Sequence, residues 1–304
     1  MITSVFVRQE GTFCDFKGKE SWVILTPIEQ SIKRKIEAVG TPLKDWDIQI
    51  NYGIKTGYNE AFIIDTAKRD EILANCKTEE ERQRTAELIR PILRGRDIKR
   101  YSYDWANLWL IWIPWHFPLH FDNSIQGASE KAEKAFTEQY PAVYNHLLQY
   151  KSKLSARNKA ETGIRYEWYA LQRWGANYWE DFFKPKVIYP ETTQGAFFAY
   201  DETGIMIDKT CFMLIADYAS YIQRTLSSRL FSFSYKKIYS SVELGEHGYQ
   251  YNKHALIKLP LIVPTDTIRA EVENCKTDAI DQYIYSLYGI SIDEVESIEK
   301  IDLP

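Results

Sequence analysis

The chain has 304 residues, 45% of them hydrophobic, and a formal net charge of −4. That is enough apolar material for a sizeable core in one large domain or two ordinary ones, and no apolar run reaches the roughly 20 residues of a membrane span. The four cysteines (Cys14, Cys76, Cys211 and Cys275) lie far apart with no Cys-x-x-Cys pair, which argues against a metal knuckle and points to a reduced, cytoplasmic setting.

In chain order, residues 21–25 read as a strand or short buried segment. Thr26-Pro27-Ile28-Glu29 then carries a helix start. Thr26 can cap, Pro27 suits the first helical position and Glu29 completes a capping box. That helix should run to Val39 and stop at Gly40. Next comes Gly53-Ile54-Lys55-Thr56-Gly57-Tyr58-Asn59, a loop placing a cation, a hydroxyl, a ring and an amide close together. The apolar run 61–64 behind it reads as a strand. Residues 79–93 read as a helix that Pro91 should end or bend. A basic turn, Arg94 to Tyr101, follows, then a buried strand at 108–113. His116 and His120 are separated by Pro118, so they cannot share a helix face as zinc ligands would.

Residues 130–154 read as a helix interrupted at Pro141. The segment 157–179 is the densest in rings and cations, with Arg165, Tyr166, Trp168, Arg173, Trp174 and Trp179. Strand-like segments at 186–189, 197–200 and 211–216 precede a helix at 217–231. Further β-type segments at 235–242 and 257–263 flank a turn at 245–248. Residues 265–288 read as helix up to Gly289, and a last helix starts at Ser291.

Charge is unevenly spread. Residues 82–100 hold seven basic and two acidic residues, and 224–237 hold four basic and none acidic. Residues 265–304 hold three basic and ten acidic. An acidic tail thus masks basic islands, and the net charge does not exclude a nucleic-acid partner.

Other chemistry finds little support. Lys55-Thr56-Gly57 and Ser234-Tyr235-Lys236-Lys237 match pieces of the serine β-lactamase signature, but in reversed order. No phosphate-binding P-loop and no Gly-x-Gly-x-x-Gly opens a helix. Glu191 comes after Lys184 and Lys186, the wrong order for a metal nuclease.

Several segments, in order, resemble the TaqI-like C-terminal specificity domain of type IIG and related restriction–modification adenine methyltransferases. They are Asp45-Trp46 leading to Ile50, the Gly53 to Phe62 stretch, Ile92 to Tyr101, Tyr140-Pro141 to Tyr150, Trp168 to Leu171, Phe183 to Tyr189 and Ile280 to Ile290. The resemblance implies an α+β fold, a twisted mixed or antiparallel sheet with flanking helices and a C-terminal helical segment. It implies three parts: a connecting helix in 1–44, a target recognition domain over 45–264 and a helical tail over 265–304. It implies duplex DNA as partner, and a methyltransferase domain, in cis or in trans, that flips and methylates an adenine. The Asn-Pro-Pro-Tyr motif and S-adenosylmethionine loop of such a domain do not occur here. The expectation is therefore a chain without catalysis or cofactor of its own, in a parent using S-adenosylmethionine, with Mg2+ if it also cuts.

The residues assigned to DNA contact are Lys55, Thr56, Tyr58, Asn59, Arg94, Arg96, Lys99, Arg100, Arg165, Tyr166, Arg173, Trp174, Lys236 and Lys237. Competing roles are an internal ion-pair brace for Arg94, Arg96 and Asp97, and core packing for Trp168, Trp174 and Trp179. A competing function is a protein-interaction or assembly subunit of a restriction–modification complex.

Overall fold

Alternation along one sheet organises the molecule. A computed structural model describes residues 25–157, 160–240, 244 and 248–300. Its central sheet holds four antiparallel strands in the order Gln49–Tyr52, Cys211–Ile215, Lys186–Pro190 and Ala199–Asp201. Successive side chains of a strand point to opposite faces. Cys211, Met213 and Ile188 accordingly enter one hydrophobic core, while Phe212, Leu214, Val187 and Tyr189 enter the other. With both faces covered, all five residues of Lys186–Pro190 are buried.

The first core lies against a second four-stranded sheet, ordered Ile63–Asp65, Leu108–Ile111, Ile89–Leu93 and Met206–Ile207. Only its last pairing is parallel. The second core is mostly helical. The helix Pro27–Val39 has the predicted capping box and buries Ile32 and Ile36 there. So do the C-terminal helices Ile280–Leu287 and Ile292–Glu299, through Ile284, Tyr285 and Ile298. The helix Pro27–Val39 and the acidic tail thus share one core with residues 187–261. The architecture is the expected α+β. Among the described residues no helix is long and apolar enough to cross a membrane.

Several local expectations are corrected. The run 61–64 is split between a helical turn, Asn59–Phe62, and a strand, Ile63–Asp65. The helix over 79–93 ends at Leu88, and Ile89–Leu93 is a strand that accommodates Pro91. The strand buries the β-branched Ile89 and Ile92 together with Leu93, and burial outweighs the helical charge pattern. The helix Thr66–Ala74, capped by Asp65, has no counterpart in the expectations. The β-type reading of 235–242 gives way to the helical turn Tyr235–Tyr239. The strand expected at 21–25, most of the turn at 245–248 and Cys14 lie outside the described residues.

The tail is held by charge as well as by apolar packing. Lys35 Nζ lies 2.6 Å from Glu294 Oε2, and the backbone N–H of Ser291 donates to the same oxygen at 2.7 Å. Burial works against the Glu294 carboxylate, but Lys35, Ser291 and Ser31 hold its pKa down to about 2. A carboxyl depressed in the folded state stabilises fully above its unfolded value, about 4.3, and loses that contribution as pH falls through the folded value. Urea melts should therefore weaken between about pH 4 and pH 2. Glu294→Gln should flatten that part of the profile; an unchanged profile would refute the assignment.

Candidate nucleic-acid interface

The ends of strands from both sheets meet at one cleft. It is lined by Asn59, by the turn from Arg94 to Lys99, by residues 191–194 with Phe197, and by Asp208, Lys209 and Thr210. Its volume is about 940 Å3. Backbone and side-chain hydrogen bonds stitch these pieces together. Asp208 N–H donates to Leu93 C=O at 2.9 Å, and Glu191 N–H to Thr210 C=O at 3.0 Å. Gly95 N–H donates to Thr210 Oγ1 at 2.9 Å.

The floor is locked by close backbone approach. Gly53 lies against the Asp208 backbone so tightly that a Cβ there would sit 1.9 Å from its carbonyl oxygen. Gly57 has φ of +78°, in the left-handed region that favours glycine. Gly53→Ala should therefore cost about 1–3 kcal/mol or more through forced backbone movement, seen as a lowered thermal midpoint. A neutral Gly53→Ala would show that the approach is not rigid.

Within the cleft the charges divide into two kinds. Arg94 is engaged. Its guanidinium meets the buried Asp97 carboxylate through Nε at 3.1 Å and Nη2 at 2.9 Å, and that bond raises the Arg94 pKa. Asp97 also accepts the Arg94 N–H at 2.8 Å. Arg94 therefore braces the turn, one of the two roles open to it from sequence. Arg96, Lys99 and Lys209 are exposed, and none has a carboxylate within ion-pair distance among the described residues. Asp208 is buried, which raises its carboxyl pKa, and it accepts from Thr210 N–H at 2.9 Å. The exposed charge of these turns is therefore mainly positive.

The remaining sequence candidates are placed elsewhere. Arg100 is a clamp between parts of the second core. It donates to Ser227 C=O at 2.8 Å and to both oxygens of Asp281 at 3.1 and 2.9 Å, so its donors are turned inward. Tyr166 is fully buried and stacks on Trp115 at 4.9 Å. Trp174 is buried against Trp112. Neither ring can reach a duplex from there. Thr56 is buried too, its hydroxyl donating to Asn59 Oδ1 at 2.5 Å; it shapes the loop. Arg157 supports that loop from beneath, its guanidinium donating to the carbonyls of Thr56, Trp168 and Ala170.

Lys55 and Arg173 form a second spot. Their backbones exchange hydrogen bonds at 3.0 and 2.9 Å, and Arg173 lies over the half-exposed Tyr52 ring at 5.9 Å. Tyr58 takes a hydrogen bond from Lys153 at 2.7 Å. Arg165 is exposed, with Glu161 3.8 Å away. Lys236 lies over the Tyr249 ring at 4.7 Å, beside the exposed Lys237 on the second core; neither lines the cleft. Ser234 is fully buried, which removes the nucleophile a hydrolase reading needs. No group of three or more His, Cys, Asp and Glu residues suited to a metal ion occurs among the described residues. His116 Nδ1 instead faces Glu167 at 3.0 Å.

Sequence reading missed Gln194 and Lys209. Both are exposed side chains on short turns, Gln194 just after the strand Thr192–Thr193 and Lys209 two residues after the buried strand Met206–Ile207, in the surface segments where binding residues concentrate.

Apart from Asn59, the cleft is lined by residues of the part of the chain that comparison with known families identifies. The model of the TaqI-like C-terminal specificity domain matches residues 90–261. The chain belongs to this family. Two solved structures match in part. The type IIG restriction endonuclease BpuSI matches with a TM-score of 0.53 and 11% identity, over 91% of this chain and 32% of that one. The type IIL restriction–modification enzyme MmeI, solved in complex with DNA, matches with a TM-score of 0.46 and 13% identity, over 86% of this chain and 36% of that one. The TaqI-like chain thus spans about a third of the length of each. At 11% identity the BpuSI likeness is one of fold.

Proposed function

We propose that this chain reads duplex DNA for a restriction–modification enzyme whose catalytic part lies outside it. The observation that carries the proposal is the cleft of a specificity-domain fold, where the exposed cations Arg96, Lys99 and Lys209 share a lining with the polar side chains of Asn59, Thr192 and Gln194 and with the half-buried Glu191 and buried Asp208. Cations on phosphates position a duplex; polar side chains on base edges specify it. In this reading Arg96, Lys99 and Lys209 hold the backbone, with Lys55 and Arg173 as a further contact. The catalytic domain flips an adenine and methylates its N6, and contacts made here offset the unstacking. S-adenosylmethionine, and Mg2+ if the parent cleaves, belong to that domain, and the present chain transfers no methyl group.

Fluorescence anisotropy with a labelled duplex tests this. Affinity should fall with log salt with a slope of about −0.9 per neutralised phosphate. Three contacts correspond to a roughly 40-fold loss between about 50 and 200 mM salt. Absence of binding at low salt, with the thermal transition intact, would sink the proposal for the chain on its own.

A further inference from the structure

We infer that Gln194 is a base-reading side chain of the cleft and that it takes an adenine in the major groove. The inference rests on the DNA-reading function proposed above and assigns a specificity to one residue.

The polar groups that line the cleft differ in whether they already have partners. Arg94 is engaged by Asp97. Thr210 Oγ1 donates to the Asp208 carboxylate and accepts the Gly95 N–H. Asn59 has its Oδ1 taken by the Thr56 hydroxyl, so its acceptor side is already occupied. Gln194 is exposed and makes no side-chain hydrogen bond to any described residue. Its carboxamide keeps a donor and an acceptor side by side. That pair matches N7 and N6 of adenine, an acceptor beside a donor, in a bidentate arrangement that other base edges do not offer.

The turn that carries Gln194 is rigid, as a reading element must be. On one side Thr193 is buried and pairs with Tyr249 on the neighbouring strand. On the other, Phe197 N–H closes back onto Gly195 C=O at 2.9 Å. Gly195 packs on the Phe197 ring, where a Cβ would meet it at 2.8 Å, and Ala196 is buried. Gln194 is thus a free head on a fixed stem, while exposed Arg96, Lys99 and Lys209 belong to the facing turns. Long cations serve phosphates; the neutral carboxamide in the same cleft serves a base.

The test is selection of bound duplexes from a randomised pool with the full 304-residue chain, repeated with Gln194→Ala and Gln194→Arg. The wild type should enrich a motif. Gln194→Ala should lower the preference for A·T at one position by roughly 5- to 150-fold and leave the other positions, the salt slope and the thermal midpoint unchanged. Gln194→Arg should move that same position to G·C, because a guanidinium pairs with guanine O6 and N7. A motif that survives Gln194→Ala intact, or that decays at all positions together, overturns the assignment of Gln194 and leaves DNA reading standing. A wild type that binds duplex with no motif also overturns it. A wild type that binds no duplex overturns both.

Discussion

Lys186→Met is expected to destabilise the chain by about 3–5 kcal/mol. Lys186 and Asp201 face each other across adjacent strands, in register, with Nζ 2.5 Å from Oδ2 and both side chains fully buried. Lys186 also donates to Phe182 C=O at 2.7 Å. Asp201 is tied in turn to Thr203 and to the Ile205 N–H. Burial alone would raise the Asp201 carboxyl, but the Lys186 ammonium and Thr203 hold it below the usual carboxylate range. Removing the cation leaves a carboxylate without compensation inside the protein. The thermal midpoint should drop by roughly 10 °C. A double variant, Lys186→Met with Asp201→Leu, should recover much of the loss, because a buried pair replaced by apolar groups of similar volume is often neutral. Equal melting of Lys186→Met and wild type would contradict the buried-pair account.

The second large effect concerns binding. Arg96→Ala, Lys99→Ala and Lys209→Ala combined should reduce the salt slope by about one for each phosphate that is no longer neutralised, and weaken duplex binding by at least about 100-fold at low salt. All three side chains are exposed, so the thermal midpoint should hold. Arg94→Ala, close by in the same turn, should behave in the opposite way. It strands the buried Asp97 and should lower stability by about 1–3 kcal/mol, with any loss of binding following from that. If the triple variant binds DNA as well as the wild type, the cleft is not the contact surface.

How much of this was legible in the sequence depends on the physics behind each signal. Local rules served well where the cause was local. The Thr26–Glu29 capping box, the break at Pro141 and the helix start at Ser291, with Glu294 completing its capping box, all formed as read. They failed where burial decided. In residues 89–93 Pro91 signalled only an end or a bend of the helix, yet the neighbouring strands draw the whole run into a sheet. Residue type alone could not separate exposed from internal cations in the basic islands. Arg96 and Arg100 sit four apart in one turn, but one faces solvent and the other clamps Asp281, 181 positions away. Lys209 and Gln194 were invisible for the converse reason. No charge run or ring marks them, and only the meeting of two sheets brings them beside Arg96.

The two-sided central sheet has a consequence for how such a chain can change over time. In Lys186–Pro190 every position is buried, and successive side chains go to one core or the other. Deleting or inserting one residue there would exchange the two sets of side chains and spoil both cores at once. Substitutions of similar volume would be tolerated far better. Parity continues beyond Pro190, with Thr193 buried and paired to Tyr249 and with Ala196 and Phe198 in the second core, but Gln194 itself touches neither core. Change of length is thus costly on both sides of Gln194, whereas change of side chain at Gln194 itself disturbs neither core and leaves the scaffold as it is.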